Sequence, residues 1–292
     1  MKKLRLSLYV LLMAILVVGC SSVSESGTNE EKGKESEKKK DYTLDEVIDK
    51  ANKQVSEVNG VTYDVKGKQD FTMEIGGKTQ EMGMDIDMVM NYTNDPVAMH
   101  MKGNLVSNGE KIPMEAYLVD NEMYQNGEGG GWIKTKVDGI QGIQGTQAQQ
   151  PTESLEQFKK VLDKLSGNKK DGPVKMTEEE DAYLLEMNLT EKDSKELFDE
   201  MTKQMKSSIA PQFEEENLPI QLDDIKFSRL NQKIWVDKES FDQKKVDQVM
   251  EMEIPIEDMK MKIKQNMIME LKGEYKDKIT VPEDVKSKAR SF

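Results

Sequence analysis

Cys20 has the clearest chemistry in this 292-residue chain, because it is the only cysteine. It follows Val17, Val18 and Gly19 at the end of an apolar run. The small Gly19 suits the cleavage site of a signal peptidase, and the Cys20 thiol can accept a diacylglyceryl group. The pattern predicts cleavage between Gly19 and Cys20, with an acylated Cys20 as the mature N-terminus. An uncleaved signal anchor with an incidental cysteine is the alternative.

The segment before Cys20 has the composition of a secretory signal peptide. Lys2, Lys3 and Arg5 precede an apolar run that is too short to span a hydrocarbon core of ~30 Å. We therefore expect residues 1–19 to be a lipoprotein signal peptide, whose removal changes the formal charge from −13 to −16. Acyl chains contribute ~0.8 kcal/mol per buried CH₂, so we expect the acylated protein to be held firmly in the membrane. Because a signal peptide directs export, we expect this anchor on the outer face of the cytoplasmic membrane.

Methionine is the second candidate, because many of the 21 methionines recur in M-x-M pairs. Residues i and i+2 of a strand share a face, so each pair projects into one interior. The thioether chain is flexible and adapts to irregular apolar shapes. The predicted lining of this interior consists of Met84, Ile86, Met88, Met90, Met99, Met101, Met250, Met252, Met261, Ile263, Met267 and Met269. Two interpretations stay open: these side chains fill a core in which aromatics are only 6%, or they enclose acyl chains.

Other chemistries have weaker support. Thioethers bind Cu(I), and Met99-His100-Met101 contains the only histidine, but alternation in a strand would point His100 away from both sulfurs. We expect no metal and no cofactor, with methionine-based copper binding as a minor alternative. The acidic runs are typical of solvated turns, and no carboxylate pair stands out, so we expect no enzymatic activity. The negative charge argues against a nucleic-acid partner.

The chain divides into three parts after these residues are set aside. Residues 1–19 form the predicted signal peptide, and residues 20–41 comprise the acylated cysteine and a Ser/Gly/Glu/Lys-rich segment that predicts a disordered tether. Residues 42–292 predict a single β-rich domain. A capping box at Thr43 and Glu46 opens a helix, after which the apolar period changes to two.

Turn signals divide the period-two pattern into antiparallel strands. Gly76-Gly77 and Asn108-Gly109 predict hairpins, and further strands are expected at 174–177, 182–189, 225–237, 244–254 and 259–276. One helix is predicted to include residues 155–165, and another to begin after Thr190. The Gly/Gln-rich stretch 138–151 predicts a flexible loop, with a movable flap as the alternative. We expect an α+β fold in which a curved antiparallel half-barrel of about ten strands, wet on its outer face, wraps around two or three helices.

This layout resembles the LolA/LolB-like (lipoprotein carrier) superfamily over nearly all of residues 43–289. Residues 234–241, IWVDKESF, resemble that family's strand-turn-strand stretch, and residues 279–285, ITVPEDV, resemble the C-terminal tail of related firmicute surface lipoproteins. The resemblance implies a half-barrel with helices on its open side and a cavity for acyl chains or lipoproteins. We expect a monomeric lipoprotein that binds a lipid, another hydrophobic ligand or an envelope component. The alternative is a structural or interaction module without a cavity.

Overall fold

The computed structural model describes residues 41–75, 77–126, 131–136, 155, 158–159, 162, 173–190, 195, 198–199, 202, 225–256 and 259–291. The predicted signal peptide, Cys20, the tether to residue 40 and the loop 138–151 lie outside the described residues. Those predictions therefore stay predictions.

Twelve strands form one open sheet in the described part of the chain, in the order β12-β6-β5-β4-β3-β2-β1-β11-β10-β9-β8-β7. Every neighbouring pair is antiparallel except β12 with β6. The strands are β1 (Gly60–Ile75), β2 (Lys78–Asn94), β3 (Val97–Ser107), β4 (Glu110–Val119), β5 (Glu122–Asn126), β6 (Trp132–Lys136), β7 (Val174–Glu178), β8 (Ala182–Thr190), β9 (Lys226–Asp237), β10 (Gln243–Ile256), β11 (Met259–Glu274) and β12 (Arg290–Ser291).

The sheet has twelve strands where about ten were expected, and the difference includes β12. The two-residue strand β12 has no alternating pattern of its own and exists because the C-terminal segment runs parallel to β6. The predicted hairpins are confirmed, since Ile75 pairs with Lys78 and Ser107 pairs with Glu110. Asn108 and Gly109 both have positive φ, which a two-residue hairpin turn of this kind requires.

Helix α1 (Leu44–Glu57) begins with the predicted capping box, in which the Thr43 side chain and the Glu46 side chain accept each other's backbone N–H. Its C-terminal end is tied to the β2–β3 turn, because the Asn94 side chain donates to the carbonyls of Val55 and Val58, at 3.3 and 2.6 Å. In the middle of the helix, the Lys50 ammonium lies 4.7 Å from the ring centre of Phe241, in the β9–β10 turn. The helix therefore connects the turns at one end of the sheet.

One face of the sheet, which we call the interior face, carries the side chains of Tyr63, Phe71, Met84, Met250 and Ile263. It forms a continuous core with Val47, Ile48 and Ala51 of α1 and with the helical residues Leu155, Phe158 and Phe198. The alternation of the strands thus places the apolar residues as predicted.

The opposite, outer face is solvated over much of the sheet, with Asp85, Asp87 and Lys264 exposed. Cross-strand ion pairs join its charges, as in Lys262–Glu74 at 3.1 Å. The expectation of a wet outer face was wrong at β4–β6. There the C-terminal segment, which includes helix α2 (Glu283–Lys288), covers the sheet and packs Val281 and Val285 against Tyr117 and Tyr124.

Candidate ligand-binding face

The predicted lining residues converge on the interior face. Most are at most 6% exposed: Met84, Ile86, Met88, Met90, Met99, Met101, Met250, Met252, Met261 and Ile263. Met267 and Met269 are half-buried and pack against the same core. Strand register brings several into contact distance, since Met90 lies opposite Met101 and Met252 lies opposite Ile263.

Two glycines make room for methionines on this face. Gly67 lies opposite Met267 and Gly103 lies opposite Met88. A Cβ at either glycine would overlap the facing methionine side chain. The methionines therefore occupy space that neighbouring strands leave open, rather than simply covering a uniform surface.

A row of four buried glutamines crosses the centre of the interior face, and we call Gln69, Gln265, Gln248 and Gln232 the glutamine band. Gln69 of β1 lies opposite Gln265 of β11, and Gln248 of β10 lies opposite Gln232 of β9. Gln265 lies opposite Met250, two residues from Gln248, so the two pairs are diagonal neighbours. Four consecutive strands thus contribute one amide each.

The amides of the glutamine band are poorly satisfied. Gln69 and Gln232 are 0% exposed and Gln265 is 3% exposed. Among the described residues, both amide atoms of Gln69 and of Gln232, and the carbonyl oxygen of Gln265, have no hydrogen-bond partner and are shielded from solvent. A buried polar group without a partner costs about 1–3 kcal/mol, so three such side chains in one band require an explanation.

Sequence alternation indicated that Gln69 and Gln265 face inward, but it did not predict the band. The available signal was a polar residue interrupting an otherwise apolar face on β1 and on β11. Gln232 and Gln248 could be joined to them only through the strand order, which pairs the first strand with the last long one.

The only histidine lies on the outer face, as alternation predicted, while Met99 and Met101 lie on the interior face. His100 Nε2 is 3.0 Å from a carboxylate oxygen of Glu115, and the imidazole stacks on Tyr117 with ring centres 4.3 Å apart. Met99-His100-Met101 therefore does not assemble as one three-ligand copper site.

Glu115 is the centre of this outer-face cluster. Tyr117 donates a hydrogen bond to it at 2.8 Å, and Lys102 lies 3.3 Å away. Burial raises the pKa of Glu115, but the hydrogen bonds from Tyr117, His100 and Lys102 and the charge of Lys102 outweigh burial and hold the pKa below its usual range. Burial and the hydrogen bond to Glu115 raise the pKa of Tyr117.

Within the described residues, no three His, Cys, Asp or Glu side chains group closely enough to hold a metal ion. In the same part of the chain, no helix has both the length and the apolar character needed to cross a bilayer. The turn predicted within residues 234–241 is formed. Asp237, the last residue of β9, accepts the backbone N–H groups of Glu239 and Ser240, both at 2.9 Å.

A protein-family model described as a family of unknown function (DUF6612) matches residues 43–290. The chain belongs to the DUF6612 family. No curated protein matches this DUF6612 chain.

Two solved structures are distantly similar to the DUF6612 chain. A DUF1329 family protein from Desulfovibrio piger is 10% identical, with 81% of this chain and 95% of that chain covered and a TM-score of 0.26. A β-barrel-like protein with a DUF1849 domain from Brucella abortus is 9% identical, with 74% and 98% covered and a TM-score of 0.20. Both TM-scores are too low to support a conclusion about this chain.

Proposed function

We propose that this DUF6612 protein binds a hydrophobic ligand, a lipid with acyl chains, on the interior face of its sheet. The carrying observation is the concentration of buried methionines on that face, on both sides of β1. Their unbranched thioether chains can rearrange around flexible hydrocarbon at low cost. We propose further that the fold is a LolA-like half-barrel with the ligand between sheet and helices. The open antiparallel sheet and its few helices support this proposal.

The ligand proposal is tested by extracting the purified domain, residues 42–292, with organic solvent and analysing the extract by lipid mass spectrometry. We expect a co-purified lipid, or saturable uptake of a fluorescent acyl probe by the delipidated domain. The matched control is the same domain unfolded in urea, which should retain neither. Absence of bound lipid together with absence of probe uptake would refute the proposal.

We propose further that the protein is an extracytoplasmic lipoprotein, anchored through acylated Cys20 and held off the membrane by residues 21–41. The lipidation pattern at Gly19-Cys20, with Cys20 the only cysteine, supports this proposal. Cys20→Ala should release the protein from membranes or leave its precursor uncleaved, whereas Ser21→Ala should leave anchoring intact. Unchanged metabolic labelling of Cys20→Ala with a fatty acid would contradict the assignment.

A structural or interaction module without a ligand is the second candidate. The observation that favours it is the complete burial of several predicted lining residues, including Met99 at 0% and Met261 at 1% exposure. Under this alternative the methionines only pack against each other, so the delipidated domain would bind no acyl probe and would gain no thermal stability from any lipid.

A further inference from the structure

We propose that the glutamine band binds the neutral ester or amide linkage of the lipid, so that the interior selects uncharged acyl lipids over free fatty acids. This inference rests on the proposed function and assigns the chemical class of its ligand. The band lies across β1, β11, β10 and β9, between methionines on both sides: Met84 lies opposite Gln69, and Met187 lies opposite Gln232. A polar group of the ligand would thus sit within an otherwise apolar interior.

The functional groups of the band match a carbonyl-containing linkage. Each glutamine amide offers two N–H donors and a carbonyl acceptor, and the amide nitrogens of Gln69 and Gln232 are unpartnered in the structure. An ester carbonyl needs only donors, and an amide linkage needs a donor and an acceptor. Both needs can be met by side chains that are at most 8% exposed.

The charge of the interior excludes the ionised alternative. The buried polar side chains in the described part of the chain are the glutamines, Thr93 and Ser107, and none of them is charged. A fatty-acid carboxylate at the band would be buried without a counter-charge, which is far more costly than burying a hydrogen-bonded ester. The same argument disfavours placing a phosphate group at this depth.

The structure shows the band in a closed arrangement, since the unpartnered amide atoms are shielded from solvent. A ligand must therefore displace the side chains that pack over them. Met250 and Met267 adjoin the band and have the flexibility to move. The amides gain hydrogen bonds when the ligand binds. The unpartnered amides therefore destabilise the closed arrangement relative to the ligand-bound one.

The test compares the intact protein with the double variant Gln69→Met/Gln265→Met, which keeps side-chain length and removes the amides. Dioleoylglycerol, palmitate and hexadecane are titrated into the delipidated domain, and the exposed Gln80→Met on β2 is the matched control. We expect the unmodified protein to bind the diester in preference to palmitate at pH 8. The double variant should lose at least ten-fold in affinity for the diester and none for hexadecane, and its melting temperature should rise.

The same titrations distinguish a failure of the proposed role of the glutamine band from a failure of the proposed lipid binding. Binding of none of the three probes by the unmodified protein would refute both. Equal diester affinity in the unmodified protein and the double variant, with hexadecane bound by both, would refute only the role of the band. A lower melting temperature of the double variant would also refute it, because the amides would then be satisfied without a ligand.

A second pair and a direct readout keep the inference falsifiable if the first variant does not fold. Gln232→Met/Gln248→Met removes the other half of the glutamine band. Like the first double variant, it should lose affinity for the diester and keep its affinity for hexadecane. The infrared C=O stretching frequency of ¹³C-labelled dioleoylglycerol should decrease on binding, and it should decrease less in either variant. An unchanged stretching frequency would contradict a hydrogen-bonded ester. A dipalmitoylglyceryl-cysteine peptide, run in parallel, distinguishes an acylated protein from a free glycerolipid as the source of the ester.

Discussion

Glu115 shows how single residues stabilise the outer face of the sheet. It is partly buried and is bonded to His100, Tyr117 and Lys102, which lower its pKa relative to the unfolded chain. A carboxylate with a lowered folded-state pKa stabilises the protein above its unfolded pKa of about 4.3, and this contribution is lost as the pH falls through the folded-state value.

We therefore predict that Glu115→Gln destabilises the domain by about 1 kcal/mol at pH 7, a figure reduced for solvent screening. The difference should shrink as the pH falls below the unfolded-state pKa of about 4.3 and through the lowered pKa of Glu115 in the folded protein. Urea unfolding at several pH values measures it. Tyr117→Phe is the control, since it removes one hydrogen bond and keeps the aromatic ring. A difference that is constant with pH would contradict the assignment.

At the scale of the element, β3 depends on a glycine that lets it approach β2 and Met88. A Cβ at Gly103 would overlap the carbonyl oxygen of Asp87 and the Cα of Met88, which are backbone atoms and cannot rotate away. We predict that Gly103→Ala costs about 1–3 kcal/mol, as overpacked positions do.

The matched control for this strand pair is Gly83→Ala in β2. Its added Cβ would meet only the side-chain carboxylate of Asp70, at 3.3 Å, and that group can move. Chemical unfolding of both variants should give a clearly larger loss for Gly103→Ala. Equal losses would mean that the strand approach at Gly103 is not the cause.

The elements also show what a single sequence can and cannot predict. Alternation and turn residues assigned the side chains of β1, β2 and β11 to the correct faces of the sheet, because both signals are local. The coverage of Tyr117 by Val285 is non-local: the tail carries few apolar residues, so nothing in its pattern indicated which face it would cover. The band has the same origin, because Gln69 meets Gln265 only when strands nearly 200 residues apart in the chain are paired.

At the scale of the whole molecule, the chain combines a large negative charge with an interior that contains no buried charge among the described residues. The charges lie on the outer face, where they form cross-strand pairs such as Lys272–Asp64 at 3.0 Å. Their role is solvation of one side of an open sheet. The interior face is instead shielded from solvent by helices and by methionine side chains. The exposed fraction of each methionine therefore measures how completely the interior is shielded at that position.

We predict that mild peroxide oxidises the methionines in the order of their exposed fractions. Half-buried Met82, Met267 and Met269 should react first, while Met99 and Met187, both at 0% exposure, should react only when the interior opens. Peptide mass spectrometry against time measures the rates, and the urea-unfolded chain, in which all methionines should react alike, is the control. Oxidation of Met99 and Met187 before loss of the fold would indicate local opening, and dioleoylglycerol should then slow it. Similar rates for all five in the native protein would contradict the closed interior, because a sulfoxide can form at a buried sulfur only after the oxidant reaches it.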